Sequence, residues 1–284
     1  MKSFSSHFDP QAHLDEISGL PDQGINPAIT ALALASLELP GLSTQRYITH
    51  LEKLELDARQ RYQDLIKEGS ADDVGVRLAA LKHVISDQYG YVANKTPHEG
   101  LEGANLIRVI ERREGLPVAL AILYVHLGTV LNWDVCVLAF PQNTLCRVEH
   151  EGQRLIYDPA QGCRVLQAPD MRTLVKEQSG THAELSAAYF EPITSRELVI
   201  ALENHIKLRL IEGGDYKRAL AVVERMQVIA PQEYRLWLDA GVLYARIRQP
   251  EKAAANLERY IDAVPSGRDR DEALLLLQQV RGET

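Results

Sequence analysis

The chain has 284 residues and a mass of 31.8 kDa, with 45% hydrophobic and 25% charged residues. That is the make-up of a soluble globular protein rather than a disordered or fibrous one, long enough for two domains. Thirty-one Lys+Arg against 39 Asp+Glu leave a net charge of −8 and a pI near 5.6. No basic face is expected, so nucleic acid is set aside as a partner. Three cysteines, Cys136, Cys146 and Cys163, without a CxxC pair, are too few for a disulfide scaffold or a zinc site and suit a reducing cytosol. The first ten residues contain no apolar h-region, and the most apolar stretch, 116–131, is short for a bilayer span. The expectation is a cytoplasmic protein that neither enters a membrane nor carries a metal or cofactor.

The first third reads as helices. Asn26-Pro27 is an N-cap followed by proline at the first helical position, and Pro40-Gly41 closes that segment. Ser43 is placed to cap the next helix, where Tyr47, Leu51, Leu54, Ala58, Tyr62 and Leu65 form one apolar stripe that Gly69 ends. A third helix carries Val74, Leu78, Leu81 and Ile85 and stops near Tyr89-Gly90. A turn-rich loop over 94–103 follows, then a short helix with Leu106, Ile107 and Ile110 that ends at Gly115. Residues 117–131 contain no Asp, Glu, Lys or Arg. A helix apolar all round must be buried on all sides, which puts this one at the centre of the first domain.

The pattern then changes period. Stretches 133–140, 144–150 and 153–157 are short and rich in β-branched and aromatic residues, with Glu151-Gly152 between the last two as a tight hairpin needs. Consecutive strands without crossovers pair antiparallel, so helices over 26–131 followed by strands over 133–158 make an α+β domain. Residues 166–179 and 181–189 read as polar surface helices. They lead into a second domain over 195–284, so the first domain spans 1–194.

From residue 195 an internal repeat emerges. Thirty-four residues separate Ala219 from Ala253, and again Pro231 from Pro265. Thirty-four is the tetratricopeptide period. Trp237, Gly241, Tyr244, Ala253 and Pro265 fill the aromatic, small, aromatic, small and terminating positions of the second unit, with Ala240 where leucine is commoner. The first unit is sparser, with Ile206, Leu210, Ala219, Val223 and Pro231. Small residues let two helices approach closely while bulky ones fill the space between hairpins. Gly213-Gly214-Asp215 and Arg248-Gln249-Pro250 supply the turns, and 269–280 reads as a solvating cap helix. Helical repeats expose a concave surface, to which Asn204, Leu208, Arg235 and Arg246 are the candidate contributors.

Catalytic templates are missing: the sequence has no GxGxxG, P-loop, HExxH or GxSxG. His126, inside the apolar helix, reads as a core histidine. The charge runs Glu111–Glu114 and Asp269–Glu272 read as solvated helix faces. One layout stands out: a central helix after a glycine, antiparallel strands, and Asp158 at the end of the third strand. In transglutaminase-like, papain-related folds that layout holds a cysteine at the helix N-terminus, a histidine on the following strands and an orienting aspartate.

The words Arg112-Arg113-Glu114-Gly115-Leu116-Pro117-Val118, Phe140-Pro141-Gln142-Asn143-Thr144-Leu145-Cys146-Arg147 and Ile156-Tyr157-Asp158-Pro159 with Gly162 resemble a family of bacterial proteins. That family joins a transglutaminase-like domain to C-terminal tetratricopeptide repeats and is named after the Sir-B invasion regulator. The resemblance runs from about Ala28 to the end of the chain. It implies a triad that this sequence does not keep. Pro117 and Val118 stand at the nucleophile position, Asn143 stands where a histidine follows Pro-Gly, and only Asp158 is retained, as a turn anchor. Gly103-Ala104 replace the Asn-Ser of many relatives.

The expected function is therefore a non-catalytic, regulatory protein-binding protein with a degenerate transglutaminase-like domain, its partner being a protein or peptide held by the repeats. The alternative is a cysteine hydrolase or acyltransferase using a relocated thiol. Cys163 is the foremost candidate because it sits in a loop where Arg164 would lower its pKa. A purely structural oligomerisation module is a third class.

Overall fold

The computed structural model describes residues 8–94 and 101–282. Residues 1–7 and most of the expected 94–103 loop lie outside the described residues. Two compact units form: residues up to His13 with Leu20–Val199, and Leu14–Gly19 with the chain from Ile200. The division after Val199 falls inside the helix Ser195–Glu212.

Asp9 opens α1 (Pro10–Ser18) by accepting bonds from the amides of Gln11 and Ala12 at 3.0 and 3.2 Å. In the first unit Asn26 caps α2 (Pro27–Leu37), its Oδ1 accepting from Ala28 N and Ile29 N at 3.1 and 3.2 Å. Every residue of α2 from Pro27 to Ser36 is buried. Helix α3 (Gln45–Lys67) presents Tyr47, Ile48, Leu51, Leu54 and Ala58 to the core. Ser43 does not cap it: the N-cap is Thr44, which stays in helical geometry and makes no side-chain cap bond. Helix α4 (Val74–Lys82), capped by Asp73, runs into a π-helical turn over His83–Gln88.

A short parallel pair, β1 (Val92–Ala93) with β2 (Glu114–Gly115), brackets α5 (Leu106–Arg112) and leads into α6 (Pro117–Leu131). Twelve residues of α6 are buried, and Asn132 ends it in the left-handed region at φ 56°. A five-stranded antiparallel sheet of order β6-β5-β4-β3-β7 lies against α6. Its strands are β3 (Asp134–Leu138), β4 (Cys146–His150), β5 (Gln153–Asp158), β6 (Arg164–Leu166) and β7 (Pro192–Ile193). Glu151 and Gly152, at φ 48° and 77°, form the two-residue turn whose twist matches its strands, and His150 pairs with Gln153 across it. Gly128 lets α6 touch β3: a Cβ there would lie 2.5 Å from Val135 Cβ.

Helix α7 (Ala168–Ser179) follows β6. Residues 181–189 are not the second surface helix expected. They are irregular up to a short 3-10 turn at Ala187–Phe190, and Ala183 and Leu185 both pack on the cluster of Leu138, Phe140, Leu145 and Met171. Apolar anchors two residues apart belong to an extended chain.

The second unit is a stack of helices: α8 (Ser195–Glu212, which begins in the first unit), α9 (Tyr216–Ile229), α10 (Arg235–Arg246), α11 (Pro250–Ala263) and α12 (Arg268–Arg281). Helix α10 packs on α9 and α11, and α11 on α12. Ala219 and Ala253 are fully buried, and a Cβ on Gly241 would meet Leu257 Cγ at 2.8 Å, so these small residues set the close approach of the helices. Trp237 lies under the Arg259 guanidinium, 4.7 Å from its ring centroid, while the Tyr244 hydroxyl donates to Glu224 Oε1 at 2.5 Å. Pro231 and Pro265 each follow the C-cap residue of α9 and α11.

Candidate functional site

The mouth of α6 is framed by backbone bonds. Leu116 N donates to Gly103 O at 2.8 Å and Asn94 N to Gly115 O at 3.0 Å. Pro117 and Val118 form the first turn, Val118 being 4% exposed, so the place where a thiolate would profit from the helix dipole carries a buried aliphatic chain. Asn143 lies in the bend before β4, not on the strand. Its Nδ2 is buried and has no hydrogen-bond partner among the described residues. Asp158 ends β5 and caps a 3-10 turn at Pro159–Gln161, Oδ1 accepting from Ala160 N at 2.8 Å and Oδ2 from Gln161 Nε2 at 2.7 Å. No hydrogen bond joins Val118, Asn143 and Asp158 among the described residues.

The thiols are no better placed for nucleophilic work. Cys163 is buried, not in an open loop. With φ 60° at both Gly162 and Cys163 the side chain turns inward, and Sγ donates to the Tyr124 hydroxyl at 2.9 Å. Burial pushes this thiol up to about 12, although a Tyr124 hydroxyl turned to donate to the thiolate would oppose the shift. Arg164, expected to favour the thiolate, instead pairs with Asp170 at 2.7 Å. Burial likewise raises Cys136 to about 11 and Cys146 well above the usual thiol range. Among the described residues no histidine hydrogen-bonds any of the three. The Tyr124 hydroxyl also meets Ser86 Oγ at 2.9 Å, a contact set by the π-helical turn.

His126 is buried, and its Nδ1 lies 3.1 Å from Asn26 Oδ1, the α2 cap. Burial lowers its pKa to about 4, so the ring is neutral and Nδ1 carries the proton it shares with that acceptor. Sequence reasoning missed a second cluster. Arg113 ends α5 in the left-handed region at φ 60°, which turns its guanidinium off the charged face expected for Glu111–Glu114. Nη1 donates to His50 Nε2 at 2.6 Å and to the Tyr91 hydroxyl, and the cation lies 5.4 and 4.8 Å from the Tyr89 and Tyr91 ring centroids. Burial, with Arg113 beside it, lowers His50 to about 4. A neutral His50 accepting from a cation is a structural tie, not a general base.

Polar side chains gather instead in the second unit, in a groove of about 640 Å³. Ile200, Asn204 and Lys207 of α8, Arg235 and Asp239 of α10, and Asp269 with Glu272 of α12 line it. The Lys207 ammonium, with its side chain only 10% exposed, donates to Asp239 Oδ2 at 2.6 Å. Asn204 and Arg235 thus line the groove. Leu208, 52% exposed, is turned about 100° of helix beyond Lys207 and does not. Arg246 lies two helical turns past Asp239 and covers the Tyr216 ring at 6.0 Å. Helix α12 is more than a solvating cap, because some of its residues line the groove.

Residues 45–203 match the family model described as the transglutaminase-like superfamily, and residues 206–278 match that of the tetratricopeptide repeat. The two models in this order are the combination that the Sir-B-type resemblance implied. The chain is 29% identical to the "UPF0162 protein" of Pseudomonas aeruginosa, covering 88% of each chain. It is 22% identical to a "UPF0162 protein" of Xylella fastidiosa over 90% of each, and 20% identical to that of Vibrio cholerae over 68% of this chain and 72% of the other. No solved structure matches. Repeats of this class support a protein-interaction role. Among the described residues no helix is long and apolar enough to cross a membrane, and no group of three His, Cys, Asp or Glu side chains is placed to hold a metal ion.

Proposed function

Because the chain belongs to the transglutaminase-like superfamily and ends in tetratricopeptide repeats, we propose that it is a non-catalytic, regulatory protein of the bacterial cytoplasm that holds a protein or peptide partner in its repeat groove. The observation that carries this reading is a groove in the repeats lined by polar side chains around the Lys207–Asp239 pair, whereas every thiol of the first unit is held in its protonated form by burial. The mouth of α6 then serves as the packed centre of a platform. Both halves of the reading are open to experiment with the full chain.

For the thiols, iodoacetamide near neutral pH should alkylate Cys136, Cys146 and Cys163 more slowly than free cysteine, since thiolate is the reacting species. A site that reacts faster than free cysteine, and loses that speed when one histidine is replaced, would establish the cysteine-hydrolase alternative instead. For the groove, Asn204→Trp places a bulky ring in the lining. Proteins retained by the wild-type chain should be lost by this variant at unchanged melting temperature. Retention of the same proteins by both forms would move the binding surface elsewhere.

A further inference from the structure

The charge lining the groove is lopsided. Four carboxylates, Glu233, Asp239, Asp269 and Glu272, face two cations, Lys207 and Arg235. One of those cations is already committed, since Lys207 is almost enclosed and sits on Asp239 at 2.6 Å. Among the described residues Glu233 accepts only from the Arg235 backbone amide, at 3.2 Å. Asp269 makes no ion pair among the described residues. Glu272 is paired at 2.7 Å with Arg268, but that arginine is 89% exposed, so water and salt compete for the contact and a ligand cation can displace it. Between the carboxylates the surface is aliphatic, from Ile200, Leu238 and Leu276. A volume of about 640 Å³ is in the range of sites that enclose a small ligand or a short stretch of chain.

From this charge pattern we infer that the groove takes a cationic segment of a partner protein, in which Lys or Arg side chains flank an aliphatic residue. The aliphatic chain lies on Leu238 and Leu276, and the cations reach Asp269 and Glu272 on one side and Glu233 on the other. The acidic whole chain, at net charge −8, draws such a segment in from a distance, and like charge turns acidic segments away. This inference rests on the repeat groove being the binding surface, and it adds the chemistry of what binds.

The test uses the full chain and three fluorescein-labelled probes of pattern X-Leu-X-X-Leu-X, with X as Lys, Gln or Glu, read by fluorescence anisotropy. The Lys probe should bind at least about ten-fold more tightly than the Gln probe and weaken as salt is added, with the Glu probe weakest. Asp269→Lys with Glu272→Lys should reverse that order. Glu251→Lys with Asp262→Lys makes the same change in net charge at exposed α11 positions outside the groove and should leave the order intact. If the charge-reversed variant fails to fold, the salt titration of the wild type still decides. Equal affinities for the three probes, preference for Glu, or no binding of Lys overturns the inference. Should that happen while Asn204→Trp still strips partners from the chain, only the assigned chemistry fails; if Asn204→Trp strips nothing either, the groove assignment fails with it.

Discussion

Gly128→Ala should destabilise the first unit by about 2 kcal/mol, although alanine is the better helix former. The intrinsic preference favours alanine by about 1 kcal/mol. Against it stands a new Cβ 2.5 Å from Val135 Cβ and 2.7 Å from its Cγ2, where carbon atoms are comfortable at about 3.5–4.0 Å. Neither side can retreat: α6 is buried along most of its length, and β3 is held between β4 and β7. Overpacking of this kind costs about 1–3 kcal/mol, and the rigid surroundings put it at or above the top of that range. Urea unfolding followed by circular dichroism checks it, with Gly24→Ala as reference, because a Cβ there would meet nothing nearer than 3.8 Å. Equal midpoints for the two variants would show that α6 and β3 are less tightly apposed than described.

Acid should weaken the same unit through its histidines. His126 and His50 both have folded-state pKa values lowered from 6.5 to about 4. A group whose pKa is depressed on folding binds fewer protons in the native state. Its stabilising contribution is complete above the unfolded value of about 6.5 and disappears as the pH falls from there to about 4. For His126, nearly enclosed, the shift corresponds to about 3 kcal/mol across that window. His50 is more open and adds less. Melting temperatures measured from pH 7 to pH 4.5 should therefore fall steeply, and His126→Asn should flatten the fall while lowering stability at pH 7. The asparagine amide can still donate to Asn26 Oδ1, but it leaves part of the ring's volume empty. A wild-type curve that is level between pH 6.5 and 4.5 would mean that the ring is protonated in the folded protein.

Several features could be read directly from the residues. Helix α6 was legible to its ends because Pro117 suits a first turn and no charge interrupts the run. The repeats were legible because a fixed period makes the same small residues meet the same neighbours, as Ala219 and Ala253 do. What escaped depended on single backbone angles that composition does not encode. One residue in the left-handed region at Arg113 converts a charge run into a guanidinium packed on two tyrosines. A similar angle at Cys163 takes its sulfur from loop to interior, and Asp170 draws off the arginine beside it. The groove was half legible. Helical periodicity finds Asn204 and Arg235, which line the groove, but not that Leu208 and Arg246 stay outside it.

Asp158 carries a consequence for any attempt to rebuild a hydrolase on this scaffold. Both of its oxygens tie down the corner that follows β5, so an imidazole installed at position 143 would find its would-be partner already holding the corner together. Freeing the carboxylate to steer a ring would loosen that corner, and a sulfur at position 118 would still start out sealed from solvent. Chemistry could be restored here only by several changes made at once, with the bend before β4 and the turn after β5 redesigned together.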